Sequence, residues 1–101
     1  FALMASLALH DKAAPDANFL AFLPLVELGA RDERNFVRKG VSWALRGIGR
    51  RNQALHSAAL VVARRLAQSV SAAPRWVGKD AARELASARV AAGLARKRSL
   101  A

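Results

Sequence analysis

A chain of 101 residues has room for one domain and one compact layer of helices, with much of each helix exposed unless neighbours cover it. Seventeen Lys and Arg against seven Asp and Glu give a net charge of +10, which points to a polyanionic partner: nucleic acid first, with anionic membrane surface and acidic proteins as competitors. The absence of cysteine excludes disulfide scaffolds, cysteine nucleophiles and zinc-finger spacings, and the apolar runs are interrupted by Asp, Asn or Arg well short of the roughly 20 residues of a membrane span.

Apolar residues recur at helical spacing throughout, the three prolines stand at or near expected helix starts, and the β-branched residues are mostly isolated valines. Six helices are predicted, over about residues 1–11, 16–29, 33–51, 53–69, 74–86 and 88–97. Phe1 opens an apolar run with no capping residue ahead of it, and residues 1–101 are expected to form one helical-repeat unit, the C-terminal part of a larger domain. Asp32 is placed to cap the third helix, with Glu33 in its first turn, and Pro74 to open the fifth. Connections of a few residues imply antiparallel neighbours: first with second, third with fourth, fifth with sixth, stacked as an all-α solenoid. An ordinary helical bundle is the alternative.

On a wheel of about 100° per residue, Val37, Val41, Ala44, Leu45 and Ile48 of the third helix form one apolar arc. Trp43 points well away from the centre of that arc, and Phe36, Gly40, Gly47, Lys39, Arg46 and Arg50 lie on its side. A glycine inside a helix costs about 1 kcal/mol relative to Ala, so Gly40 and Gly47 are expected to admit a close backbone, either the next helix or a nucleic-acid strand. Arg34, Arg38, Lys39, Arg46, Arg50 and Arg51 make a basic run with few carboxylates to neutralise it. It is either a solvated face or a set of phosphate ligands, for which guanidinium geometry is suited.

Outside this helix the signals are weaker. His10 and His56 lie on different helices without a second ligand at helical spacing, so no metal site is expected. Asp80 and Glu84 are one turn apart and flanked by Lys79 and Arg83, which suggests exposed intrahelical ion pairs rather than acid–base catalysis. Trp76 is expected to plug the joint between helix pairs. Arg75 and Lys79, near the start of the fifth helix, stand where free amides favour an anion. Arg64 and Arg65 are assigned to solvent, and the basic residues 96–98 to a disordered tail.

The run over residues 31–46, centred on Asn35-Phe36-Val37-Arg38-Lys39-Gly40-Val41-Ser42-Trp43, and the Ile48-Gly49-Arg50-Arg51-Asn52 that follows resemble the DNA alkylation-repair (AlkD-like) family. The Arg75-Trp76-Val77-Gly78-Lys79-Asp80 stretch is similar to the following repeat of that family, and residues 1–12 to the preceding one. The resemblance implies a superhelix of HEAT-like repeats whose basic concave face holds duplex DNA, plain or alkylated. It implies glycosylase activity on cationic N3- or N7-alkylpurines without base flipping, in which aromatic side chains contact the lesion and a carboxylate stabilises the sugar cation.

By motif position Trp43 matches a lesion-contacting tryptophan, and Arg38, Lys39, Arg46, Arg50, Arg75 and Lys79 are the candidate phosphate ligands. The family's catalytic aspartate belongs to an earlier repeat, so no catalytic residue is expected in this chain and no cofactor is required. The expected setting is a bacterial-type cytoplasm, at the nucleoid, with the intact protein a monomer and no membrane partner. A helical-repeat scaffold for an acidic protein, lacking catalysis, is the competing expectation.

Overall fold

The computed structural model describes residues 1–11 and 13–100. Six helices account for nearly all of them: α1 (Ala2–His10), α2 (Asp16–Gly29), α3 (Asn35–Gly49), α4 (Gln53–Ala67), α5 (Ala72–Leu85) and α6 (Ala88–Leu100), with no strand among the described residues. No described helix is long and apolar enough to cross a membrane.

Helix ends differ from expectation where side chains find other partners. Asp32 does not cap α3; its Oδ1 accepts from the Arg34 backbone N–H at 2.9 Å and its Oδ2 from Arg34 Nη2 at 2.6 Å, so Arg34 takes the N-cap position and Glu33 stays outside the helix. α5 starts at Ala72, with Pro74 inside the first turn, where its missing N–H leaves no carbonyl unserved. Pro24 is not near a helix start at all: it sits in the middle of α2 and deprives the Leu20 carbonyl of its helical partner. Asn52 caps α4, its Oδ1 accepting from the Leu55 N–H at 2.9 Å. The basic residues 96–98 are helical, because Val90 and Leu94 bury one side of α6 and hold it to the body.

The helices form two rows. α1 packs on α3 and α3 on α5, while α2 and α4 lie against each other and across this row, the most extensive contact being α4 on α5. This is an α-solenoid-like arrangement. The expected pairing is corrected in two places: α1 packs chiefly on α3 rather than α2, and α6 touches α5 only lightly. α3 is the common platform, since its arc of Val41, Ala44, Leu45 and Ile48 is fully buried between the rows. Phe19 and Leu23 of α2, Leu55 and Ala59 of α4, and Val77 and Leu85 of α5 complete that core.

Close helix approach is achieved elsewhere than at Gly40. A Cβ on Gly40 would meet only the Phe1 Cβ, at an ordinary 3.8 Å, whereas one on Gly78 would fall 2.1 Å from the Ala67 backbone nitrogen and 2.5 Å from the Ala63 carbonyl oxygen. Gly78 therefore lets α5 press its backbone onto α4, which accounts for the extent of that contact.

Arg51 joins the front of the chain to its middle. Its Nη1 donates to the carbonyls of Ala8 at 3.0 Å and Asp11 at 2.8 Å, its Nη2 donates to Ala14 at 3.1 Å, and its guanidinium carbon lies 3.9 Å from the Phe19 ring centre. A cation suits the free carbonyls at a helix C-terminus. Next to it Asn52 Nδ2 donates to Asp16 Oδ1 at 2.8 Å. Arg51 thus leaves the expected phosphate-binding run and becomes a structural residue.

Candidate nucleic-acid interface

α3 and α5 run parallel and in register. Arg38 faces Trp76, Ser42 faces Asp80 and Arg46 faces Glu84, each pair separated by 38 residues. Steps of four residues keep one side of each helix aligned along the seam. The Arg38 guanidinium lies 5.0 Å from the Trp76 ring centre and donates from Nη2 to Asn35 Oδ1 at 3.1 Å. Trp76 is half-buried against the core, filling the joint as expected.

Below that stack, the buried Ser42 donates from Oγ to Asp80 Oδ2 at 2.6 Å. Glu84 is shared among three arginines: Arg50 Nη1 at 2.9 Å, Arg89 Nη2 at 3.1 Å and Arg46 Nη1 at 3.5 Å. Asp80 also approaches Arg83 Nη2 at 3.7 Å and Arg46 Nε at 4.0 Å. The expected exposed intrahelical pairs are therefore corrected: only Asp80–Arg83 is of that kind, and the closest pairs tie α5 to α3 and α6. Arg46, Asp80, Arg83, Glu84, Ser87 and Arg89 line a cavity of about 350 Å³ at this seam.

Trp43 is 39 % exposed on the helix whose apolar arc is otherwise closed, with exposed Lys39 one turn before it and half-buried Arg46 and Arg50 on the turns after it. Phe36 is more open still, with the Arg34 guanidinium 5.6 Å from its ring centre. On α5, Lys79 is exposed, while Arg75 donates from Nη1 to the Val70 carbonyl at 3.1 Å and so braces the α4–α5 turn. Among the described residues no carboxylate pairs with Lys39 or Lys79. The candidate cations thus fall into two groups: the two lysines stand open, and Arg38, Arg46, Arg50 and Arg75 are already engaged with protein.

Elsewhere, Arg64 and Arg65 are both exposed as expected, and Arg65 also pairs with Glu27 at 2.7 Å. His56 donates from Nε2 to the Leu85 carbonyl at 2.7 Å, which gives it a packing role. No cluster of metal-ligating side chains occurs among the described residues. Hydrogen bonds from the Arg34 side chain and backbone hold the Asp32 carboxyl at about 2, below its usual 3.8.

The parts missed in the sequence are Glu84, as the hub of three guanidiniums, and Arg51, as the clasp on α1. Seven carboxylates among 17 Lys and Arg are a weak sign of the first, since each carboxylate has several cations to choose from, and nothing local signals the second.

The geometry defines a class: a two-row helical protein with a basic outer seam and an open tryptophan. The sequence model of the DNA alkylation repair enzyme family matches residues 1–85, from α1 to the end of α5, and the chain belongs to that family. No curated protein and no solved structure matches it.

Proposed function

We propose that this chain binds duplex DNA along the α3–α5 seam as part of a repair protein directed at alkylated purines. Lys39 and Lys79 meet phosphates directly, Arg38, Arg46, Arg50 and Arg75 supply further guanidinium contacts, and the open face of Trp43 lies against the alkylated base. Membership of the DNA alkylation repair enzyme family and the net charge of +10 support the partner. The observation that carries the proposal is the 39 % exposure of Trp43 between cations, because a large aromatic face is a ready contact for an electron-poor alkylpurine.

The intact protein, in this proposal, is a monomeric HEAT-like superhelix working at a bacterial-type nucleoid. It excises cationic N3- or N7-alkylpurines without flipping them, and this chain supplies one wall of the lesion cleft and no catalytic carboxylate. A second reading, a protein-interaction scaffold without catalysis, is favoured by one observation: Leu20, Leu25 and Leu28 of α2 are each about half exposed or more.

The test compares the chain with its Trp43→Ala variant in binding to plain duplex and to duplex carrying a cationic alkylpurine mimic, across a salt series. Steep salt dependence on both duplexes, with a lesion preference that the variant loses, is the expected result. Salt-insensitive binding, or a lesion preference that survives in the variant, defeats the proposal.

A further inference from the structure

Glu84 lies where a phosphate group would be expected to compete. Its carboxylate is largely buried, with 17 % of the side chain exposed, yet each guanidinium it holds remains partly open: 27 % for Arg46, 35 % for Arg50 and 78 % for Arg89. One carboxylate on α5 therefore serves three cations, Arg46 of α3, Arg50 at the C-terminal end of α3 and Arg89 of α6. Asp80 adds a second negative charge one turn away and Arg83 a fourth cation, so the group of six side chains carries a net +2 at pH 7. A planar two-oxygen anion that accepts from several guanidiniums has the recognition chemistry of a phosphate diester.

We infer that Glu84 is an internal competitor for DNA: in the free chain it holds Arg46, Arg50 and Arg89, and on binding it shares or yields them to backbone phosphates. The inference rests on the DNA-binding reading above. Three consequences follow from this arrangement. The guanidiniums are pre-positioned at the seam, so little side-chain freedom is lost when DNA arrives. They release fewer counterions than free cations do, which flattens the salt dependence of binding. A carboxylate beside the phosphate path also repels non-specific duplex, so Glu84 sets how weakly undamaged DNA is held.

The experiment measures plain-duplex affinity against salt for the full chain, Glu84→Gln and Glu27→Gln. The last carries the same charge change and releases Arg65 in the α2–α4 row, away from the seam. Glu84→Gln is expected to bind several-fold more tightly at moderate salt and to steepen the log–log salt slope by about 0.9 for each guanidinium it frees. Glu27→Gln is expected to change neither beyond the effect of one added charge. Adding Arg46→Gln to Glu84→Gln is expected to reverse part of the gain, and circular dichroism melts identify any variant that has lost its fold. For a folded Glu84→Gln, unchanged or weaker binding, or a gain no larger than that of Glu27→Gln, overturns the inference while leaving the DNA reading intact. If Glu84→Gln does not fold, Glu84→Asp, which shortens the reach of the carboxylate, must show the same direction of change, and its absence overturns the inference. Failure of the full chain to bind duplex at any salt overturns both.

Discussion

Arg51 and Asp11, 40 residues apart in sequence, meet where Nη1 of the one donates at 2.8 Å to the backbone carbonyl of the other. That bond, with its neighbours to Ala8 and Ala14, closes the C-terminal end of α1 and anchors the first helix to the end of α3. Replacing Arg51 with Ala leaves several partly buried carbonyls without donors and is expected to cost about 2–4 kcal/mol. Arg51→Lys is expected to recover less than half of this, because one ammonium cannot serve carbonyls spread on both sides of the fork. Urea unfolding measures both; a loss below about 0.5 kcal/mol for the Ala variant contradicts the clasp.

Gly78 and Gly40 give opposite expectations for the same change. Gly78→Ala drives a methyl group into the backbone of α4 and is expected to destabilise the fold by about 1–3 kcal/mol. Gly40→Ala meets no obstruction and is expected to add about 0.5–1 kcal/mol through helix propensity. Thermal melts of the two single variants decide the matter, and equal shifts would show that α4 and α5 are not in backbone contact.

Among the described residues Lys39 and Lys79 have no ion-pair partner, so their contribution to DNA binding, on the reading proposed above, is fully electrostatic. Lys39→Gln and Lys79→Gln are each expected to reduce the salt slope by about 0.9 with little change in stability. Arg75→Gln is expected to lower stability as well, since its Nη1 also braces the Val70 carbonyl. Lysine variants with an unchanged slope would place the phosphates on another face.

The Asp32–Arg34 turn titrates outside the physiological range. Because the folded-state value, about 2, lies below the ordinary 3.8, the stability it supplies is fully present above about pH 4 and is lost as pH falls through about 2. The carboxyl resonance of Asp32, followed by NMR, is expected to titrate near 2 and to move toward 3.8 in Arg34→Gln. A midpoint near 3.8 in the unmodified chain would show that the fork does not persist in solution.

α3 was the most legible part of the fold, because Val41, Ala44, Leu45 and Ile48 fall on one arc that is fully buried and its cations fall off that arc. α1 and α2 were not, for a physical reason: Leu3, Leu20, Leu25 and Leu28 are exposed while Phe19 and Val26 on α2 are buried, so apolar residues occur all round these helices and periodicity does not say which neighbour they choose. Trp43 could be placed on an outer face from the wheel alone. Glu84 could not be linked to Arg46 and Arg50, because contacts across 34 to 38 residues depend on how α4 docks, and α4 itself contributes nothing to that cluster.

The parallel register of α3 and α5 also bears on the order in which the chain assembles. The contacts that join these two helices each close a long stretch of chain, with α4 lying inside it and touching both sides. Loop closure of that length is costly until intervening structure shortens it, so α4 acts as the splint on which the two parallel helices are brought level. The seam and its charged cluster are therefore expected to form after α4 has docked, and amide protons there to exchange as reporters of the completed fold rather than of its first helices.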